Sequence, residues 1–321
     1  MKDRAEATRI TLMKRELKTW MTAVAMSGMS ITALGAAGLK GEDFGVSLRG
    51  VAIGDGQMVA VGQGAVAVAS NGADFWTVAR TEAEFHAIDF GNHTFAAVGK
   101  RGLIRTSHDG FSWSMRDSGT PNTLLSVVHG GSRFVAVGAR GTICTSTDGA
   151  RWKVAKSGST ETLAAVAHGN GVFVAVGDHG TIITSTDGLR WSQQRSPTSS
   201  YYYAIAFGNG QFVAAGDTVV TSKDGITWQQ HPTVAGGAFT ALTYGCGQFV
   251  ATAARGVFTS VDGLSWMPRL SAKGIFEGVA CGDDGFVAVG WYRGDCLVVT
   301  SRDGMAWNKA TAEEIRIQAR K

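Results

Sequence analysis

One short pattern, S-x-D-G-x-x-W, recurs along the chain and constrains its fold more than any other feature. Six copies are separated by 39, 39, 37, 38 and 41 residues, and a degenerate seventh lies at Asn71-Gly72. A pattern at a steady interval indicates a repeated structural unit rather than a single catalytic loop. The motif residues are Asp109, Asp148, Asp187, Asp224, Asp262 and Asp303, with Trp76, Trp113, Trp152, Trp191, Trp228, Trp266 and Trp307.

Each copy of the motif lies in a longer unit that reads as four short strands. The clearest unit, LAAVAHGNGVFVAVGDHGTIITSTDGLRWSQQ at 163–194, divides at its glycines into runs rich in Val, Ile, Phe and Thr. Such runs between Gly, Asn and Asp residues are typical of β-strands joined by tight turns. Four strands in about 39 residues are typical of a β-propeller blade. The sequence therefore predicts an all-β, seven-bladed β-propeller with four antiparallel strands per blade. The predicted blades are 44–83, 84–122, 123–161, 162–200, 201–237, 238–274 and 275–311.

The motif itself favours a structural role in every unit. Aspartate can accept hydrogen bonds from the N–H groups of its own turn, and glycine tolerates the positive φ of a tight hairpin. Tryptophan at the start of the outer strand can pack against the neighbouring blade while its N–H finds a carbonyl group. One aspartate per turn offers too few oxygens for calcium, which takes six to eight. We therefore predict that the motif stabilises its turn by hydrogen bonds and anchors the outer strand by packing of the tryptophan, with no metal, no cofactor and no catalytic residue in the motif.

The repeat resembles the Asp-box of sialidase-type and BNR-repeat propellers, although it is one residue shorter between Asp and Trp. The whole unit, GNGxFVAVG followed by GTIxTSxDGxxW, most resembles the photosystem II assembly and stability-factor propellers and their relatives in non-photosynthetic bacteria. The resemblance covers the residues 44–311. It implies a non-enzymatic scaffold that binds another protein during assembly or repair, and no individual residue role is transferred by it.

The sialidase branch of this resemblance implies a different class of function, the hydrolysis of glycosidic bonds by a tyrosine nucleophile and three arginines. The sequence lacks the expected Arg-Ile-Pro segment and has seven units rather than six. A carbohydrate-binding or glycoside hydrolase propeller acting on acidic glycans therefore stays as the alternative to a protein-binding scaffold.

Net charge and the N-terminal segment bear on partners and location. The chain carries a formal charge of +4, but the first 37 residues contain six Lys or Arg and three Asp or Glu. The remainder has 24 basic and 23 acidic side chains, which argues against a nucleic-acid partner. A basic start, an apolar stretch and small residues ending at Ala37 are typical of a signal peptide, so we expect export to the periplasm or medium. The uncharged residues 19–39 leave a membrane anchor open as the alternative.

Four cysteines and the C-terminal tail complete the description of the chain. Cys144, Cys246, Cys281 and Cys296 fit no zinc-binding spacing. Cys144 reads as a core residue, whereas Cys246 and Cys281 lie near equivalent turns of adjacent units, where an inter-blade disulfide is conceivable after export. The tail 312–321 either adds a strand to a sheet edge or frays. We expect a monomer.

The most variable loops give the candidate binding surface. In a four-stranded antiparallel blade, the turns after strands two and four share one face, and binding residues concentrate in variable loops on a rigid scaffold. A ring of arginines with aromatics on that face would suit a carboxylate- or phosphate-bearing partner, so we expect a mostly positive surface. The alternative is that Arg-Gly is simply a good exposed turn. The candidates are Arg101, Arg140, His179, Arg255, Trp291, Tyr292, Arg293, Tyr201, Tyr202 and Tyr203.

Overall fold

The computed structural model describes residues 47–70, 76–232, 238–293, 295–309 and 315–317. The predicted leader 1–37, the possible anchor 19–39 and the degenerate Asn71-Gly72 turn lie outside these residues. Within them, no helix is long and apolar enough to cross a bilayer. The strands are β1 Ser47–Gly54, β2 Gln57–Ser70, β3 Trp76–Gly91, β4 Thr94–Gly99, β5 Ile104–Ser107, β6 Ser114–Arg116, β7 Leu124–Gly130, β8 Arg133–Gly138, β9 Ile143–Ser146, β10 Lys153–Ala155, β11 Leu163–Gly169, β12 Val172–Gly177, β13 Ile182–Ser185, β14 Ser192–Gln193, β15 Tyr202–Gly208, β16 Gln211–Gly216, β17 Val219–Ser222, β18 Gln229–His231, β19 Phe239–Gly245, β20 Gln248–Ala253, β21 Gly256–Ser260, β22 Met267–Ser271, β23 Ile275–Gly282, β24 Gly285–Tyr292, β25 Asp295–Ser301, β26 Asn308–Lys309 and β27 Ile315–Ile317. Three short 3-10 turns span Lys100–Gly102, Ala139–Gly141 and Asp178–Gly180.

The strands form an all-β propeller in which consecutive strands pair as antiparallel hairpins. Five sheets have four strands each, from β7–β10 through β23–β26. The strands β1 to β6 form one larger sheet, to which β27 adds a seventh strand by pairing in parallel with β3. The first strand of each sequence unit is the inner strand, and the first of them, β1, packs against the last, β23, so the array is closed.

The prediction of seven blades is wrong, because the described strands form six sheets. The first and second sequence units share one sheet, since β3 runs without interruption from the outer strand of one into the inner strand of the other. Its connecting segment, Arg80–Glu84, contains no glycine or proline that would turn the chain. Counted as hydrogen-bonded sheets, the propeller therefore has six blades, and the first blade carries two repeats.

The second, third and fourth units end their outer strand at the same place with a serine-centred turn. In the second unit, Ser118 Oγ donates to the carbonyl oxygen of Thr120 at 3.1 Å and Gly119 adopts a φ of 72°. Ser157 makes the same contact with Ser159, and Ser196 with Thr198. Such side-chain bonds compete with strand pairing and end the extended run, so these units keep separate sheets.

Packing between neighbouring sheets makes the core. One cluster joins Ala96, Val98 and Ile104 of the first blade to Phe134 and Trp152 of the next. Cys144 belongs to the same cluster and is fully buried, which confirms that it is a core residue. Each fully buried apolar side chain stabilises the fold by roughly 1.5–3 kcal/mol. Because this cluster draws on both sheets, either blade in isolation would expose these apolar side chains to water.

Candidate functional site

The S-x-D-G-x-x-W motif forms a turn that is held by hydrogen bonds to its aspartate in all six described copies. Ser146 Oγ donates to Asp148 Oδ1 at 3.1 Å, and the same oxygen accepts from the backbone N–H groups of Ala150 and Arg151 at 2.9 and 2.8 Å. Asp187 Oδ1 is bound in the same way by Ser185, Leu189 and Arg190. These bonds hold the pKa of both aspartates well below the usual range, with the backbone bonds as the largest cause. The aspartates are thus committed to their own turns.

The motif tryptophans anchor the outer strands to the core. Trp152 Nε1 donates to the carbonyl oxygen of Gly149 at 2.9 Å, and Trp113 and Trp228 bind Gly110 and Gly225 in the same way. Trp191 departs from the others because its Nε1 has no hydrogen-bond partner in the described part of the chain. No group of three or more His, Cys, Asp or Glu residues that could hold a metal occurs among the described residues.

A β-bulge lies near the start of every inner strand, at the face formed by the turns after the second and fourth strands. In each case the pairing register shifts between two residues of the strand and skips the residue between them, as between Leu48 and Gly50 of β1 and between Tyr202 and Ala204 of β15. Bulges redirect a side chain away from the regular pleat. The skipped residues are Arg49, His86, Leu125, Ala164, Tyr203, Thr240 and Glu277.

Three consecutive bulge residues meet across the inner strands and form a charged cluster. Arg49 Nε lies 3.3 Å from Glu277 Oε2, and Arg49 Nη1 lies 3.1 Å from His86 Nδ1. Trp291 Nε1 donates to Glu277 Oε1 at 3.1 Å, which connects the cluster to the predicted site residue Trp291 near the end of β24. Burial, followed by the charge of Arg49, lowers the pKa of His86 to about 4. Sequence analysis missed Arg49, His86 and Glu277, although aligning the units at the skipped position would have shown a polar side chain in five of the seven.

The predicted basic turns after the second strands have a common backbone. Arg101, Arg140 and His179 occupy equivalent turns with φ values of 56°, 57° and 53°. This left-handed conformation is uncommon for a residue with a side chain, and the following glycine fits because an added Cβ would meet backbone oxygen. All three side chains are exposed. The guanidinium groups of Arg101 and Arg140 form no hydrogen bond or ion pair with the described residues, and neither does that of the exposed Arg255 in the shorter β20–β21 hairpin.

Acidic side chains interrupt the basic surface that the sequence predicted. Lys100 Nζ lies 3.0 Å from Glu84 Oε2, and His179 Nδ1 lies 2.8 Å from Glu161 Oε2. The exposed Asp217 occupies the β16–β17 turn, where no arginine is present. The expectation of a mostly positive ring is therefore corrected to a face of mixed charge with free guanidinium groups.

The aromatic candidates separate into exposed and buried residues. Tyr201 and Tyr203 are exposed, and their rings are stacked with centroids 6.4 Å apart and planes at 13°. Tyr202 is fully buried, and its hydroxyl lies 2.9 Å from Ser196 Oγ, so it is not accessible to a partner. Tyr203 is the residue skipped at the β15 bulge, so its side chain leaves the regular pleat in which Tyr202 is buried. Arg293 lies over the Tyr292 ring at 5.3 Å from its centroid.

Asp89, another residue that sequence analysis did not single out, links two inner strands. Its Oδ2 accepts a hydrogen bond from the backbone N–H of His129 in β7 at 2.6 Å. Burial raises the pKa of Asp89 to about 6, although this backbone bond acts in the opposite direction. Asp89 thus satisfies a free backbone donor at the edge of the neighbouring inner strand.

Comparison with known proteins supports the fold. Neither a protein-family model nor a curated protein matches the chain. A solved structure described as YCF48 bound to D1 peptide has 17% identity and a TM-score of 0.63, covering 84% of this chain and 98% of its own. YCF48 from Cyanidioschyzon merolae has 16% identity and a TM-score of 0.61, covering 84% and 97%. The WD40 propeller domain of Doa1 has 13% identity and a TM-score of 0.67, covering 85% and 97%.

At these identities, the likeness establishes the β-propeller fold alone. The neighbours include photosystem II assembly-factor propellers, the group that the repeat resembles in sequence. The narrower resemblance to Asp-box and BNR repeats stays a prediction.

Proposed function

We propose that this protein is a non-enzymatic scaffold that binds a protein partner through the face formed by the turns after the second and fourth strands. The observation that carries the proposal is the display of Arg101, Arg140 and Arg255 as exposed guanidinium groups with no partner in the described part of the chain. Guanidinium binds carboxylates in a bidentate manner, so an acidic segment of a partner fits these groups. A YCF48 propeller has been solved with a peptide bound, which is compatible with this role.

The turns that carry these arginines are rigid, which favours recognition of a defined segment. In the Arg140 turn, Thr142 N–H donates to the carbonyl oxygen of Ala139 at 3.2 Å and Ala139 N–H donates to that of Thr123 at 2.9 Å. The backbone is thus fixed before a partner arrives, which lowers the entropy cost of association.

The test is affinity capture from a periplasmic or membrane extract of the source organism, followed by mass spectrometry. Changing Arg101, Arg140 and Arg255 together to glutamate should abolish capture of the partner. A control protein changes the exposed Lys153, Lys223 and Arg302, which lie on other surfaces, to glutamate and should retain it. Capture that survives the first triple change overturns the proposed role of the basic turns.

Export belongs to the same proposal, and the protein is taken to act as a monomer in the periplasm or medium. The support is the basic and apolar N-terminal segment that ends near Ala37. N-terminal sequencing of the protein from fractionated cells tests this directly. A mature N-terminus upstream of residue 37, in a cytoplasmic fraction, would contradict export.

The glycan alternative has no geometric support of its own, since the middle tyrosine of the Tyr201–Tyr203 run is buried and the motif aspartates are bound in their turns. Release of sugar from sialylated or uronic-acid glycans by the purified protein would overturn the non-enzymatic proposal.

A further inference from the structure

Two stacked tyrosines form an exposed aromatic platform, defined as Tyr201 and Tyr203. Each residue is about two-fifths exposed, at 38% and 41%. Tyr203 is the bulge residue of β15, so its side chain departs from the alternation that buries its neighbour Tyr202. Exposed stacked aromatics present a π surface that attracts cations through the ring quadrupole.

Hydrogen bonds fix the platform in place. Tyr201 Oη lies 3.2 Å from His179 Nε2, and His179 Nδ1 lies 2.8 Å from Glu161 Oε2. The His179 and Tyr201 rings also contact each other, with centroids 5.2 Å apart. His179 therefore bridges Tyr201 to a carboxylate on the preceding inter-blade loop, and Tyr203 is stacked on Tyr201.

Two further acidic residues, Asp217 and Asp178, lie near the platform. The backbone N–H of Asp217 donates to the carbonyl oxygen of Tyr201 at 3.2 Å, which places the Asp217 turn beside the rings. Asp178 precedes His179 in the neighbouring turn. Burial is the main cause that raises the pKa of Tyr203, and Asp217, Tyr201 and Asp178 add to it, as expected for acidic groups close to the phenol.

The combination differs chemically from the basic part of the same face. An aromatic surface with adjacent carboxylates matches a planar guanidinium or an ammonium group, which can stack on a ring and donate hydrogen bonds at its edge. We propose that the aromatic platform of Tyr201 and Tyr203, with Asp217, Asp178 and Glu161, is a subsite for a cationic side chain of the bound partner, arginine above all. The proposal rests on the proposed function, because it assigns one part of the partner that this face binds.

The test uses Nα-acetyl-arginine amide, whose only charge is its guanidinium, and Nα-acetyl-citrulline amide, the neutral analogue of nearly the same shape. Both are titrated to tens of millimolar into protein with ¹³C-labelled tyrosine rings, and NMR follows the signals of the five tyrosines. The arginine probe should give saturable shifts at Tyr201 and Tyr203, and the citrulline probe should not. Equal shifts with both probes overturn the proposal.

Three variants locate the effect. Tyr203→Ala should weaken binding of the arginine probe by about threefold or more, whereas Tyr203→Phe keeps the ring and should bind normally. Asp217→Asn removes only a charge from an exposed turn and should also weaken binding, which keeps the test valid if Tyr203→Ala fails to fold. If the arginine probe binds with unchanged affinity to both Asp217→Asn and a folded Tyr203→Ala variant, the proposal is overturned.

The arginine-to-glutamate triple variant separates this subsite from the proposed function. It should lose the captured partner but still bind the arginine probe at the platform. If the triple variant loses the partner but the wild type does not bind the probe, the proposed function stands and the subsite is overturned. If the wild type binds the probe but the triple variant still captures the partner, the proposed function is overturned and the subsite stands.

Discussion

Gly282 in the last inner strand packs directly on Ile53 in the first, and a Cβ added to Gly282 would lie 2.8 Å from Ile53 Cγ2. This contact closes the propeller, because the same relation joins each inner strand to the next. The preceding pairs are Gly54 with Phe90, Gly91 with His129, Gly130 with His168, Gly169 with Phe207, Gly208 with Tyr244 and Gly245 with Cys281. His129 and His168 thus fill packing positions, and the ring depends on a residue without a side chain at each step.

The glycine ring gives a direct prediction for stability. Gly169→Ala should lower the free energy of unfolding by roughly 1–3 kcal/mol, because the new Cβ would lie 2.0 Å from Phe207 Cγ. Denaturant unfolding measures the change. In a Phe207→Ala background, the same Gly169→Ala change should cost much less, since the clashing ring is gone. An equal cost in both backgrounds would show that the close approach is not the reason for glycine.

Trp152 should contribute more to stability than any polar residue of its motif. Trp152→Ala removes a buried indole from the cluster that joins its own sheet to the first blade, and it should cost roughly 3–5 kcal/mol in the free energy of unfolding. Thermal and denaturant unfolding provide the measurement. The exposed Met115, on a comparable outer strand, is a control whose change to alanine should leave stability nearly unaltered.

Asp148→Ala should cost roughly 1–2 kcal/mol, as for the loss of a cap, because four donors in the turn lose their acceptor. Asp148→Asn should cost less, since the amide oxygen can still accept. Partner capture should be unchanged in both variants. A capture defect in a variant with normal stability would assign the motif a binding role instead.

The motif aspartates should make the protein sensitive to acid. Backbone bonds from Thr227 and Ile226 lower the pKa of Asp224 from 3.8 to about 2 in the folded state. A depressed folded pKa stabilises the protein fully above the unfolded value, and this contribution is lost as the pH falls from about 4 towards 2. Asp224→Asn should therefore flatten the pH dependence of unfolding in that range. The exposed Asp284→Asn serves as the control, and a curve unchanged by Asp224→Asn would contradict the assignment.

Cys246 and Cys281 should form a disulfide between adjacent blades under oxidising conditions. Both are free thiols whose sulfur atoms lie 3.9 Å apart, and Cys246 is exposed. Burial, followed by Cys246, raises the pKa of Cys281 to about 12, so Cys246 is the group that reacts first. Its thiolate attacks glutathione disulfide and releases one glutathione. The Cys281 thiolate then attacks the Cys246 sulfur of the mixed disulfide and releases the second glutathione. The two protein thiols are thereby oxidised to a disulfide while glutathione disulfide is reduced to two glutathione molecules.

Mass spectrometry of glutathione-treated protein checks this outcome through the loss of two hydrogens and a cross-linked peptide. The disulfide should raise the free energy of unfolding by about 2–4 kcal/mol. Cys281→Ser should abolish the cross-link and leave a stable mixed disulfide on Cys246. Cys144 provides an internal control, because it is fully buried and burial raises the pKa of its thiol to about 12. Cross-linking that involves Cys144 instead would contradict the geometry.

The sequence by itself determined the β-propeller class, the strand units and the role of the S-x-D-G-x-x-W turn. Those features depend on contacts between residues close in sequence, such as Ser146 with Asp148 and Trp152 with Gly149. Local chemistry of this kind repeats wherever the motif repeats, so it can be derived from one unit and confirmed in the others.

Tertiary structure alone decided how the units divide into sheets and which side chains meet on the binding face. Phe85 follows Trp76 by nine residues, whereas Leu124 follows Trp113 by eleven, and only the folded chain shows that the shorter connection keeps β3 continuous. Tyr202 is buried and Tyr203 exposed because a bulge interrupts the pleat. The pairing of Arg49 with Glu277 joins residues at opposite ends of the repeat array, which closure of the ring brings together and no local pattern can indicate.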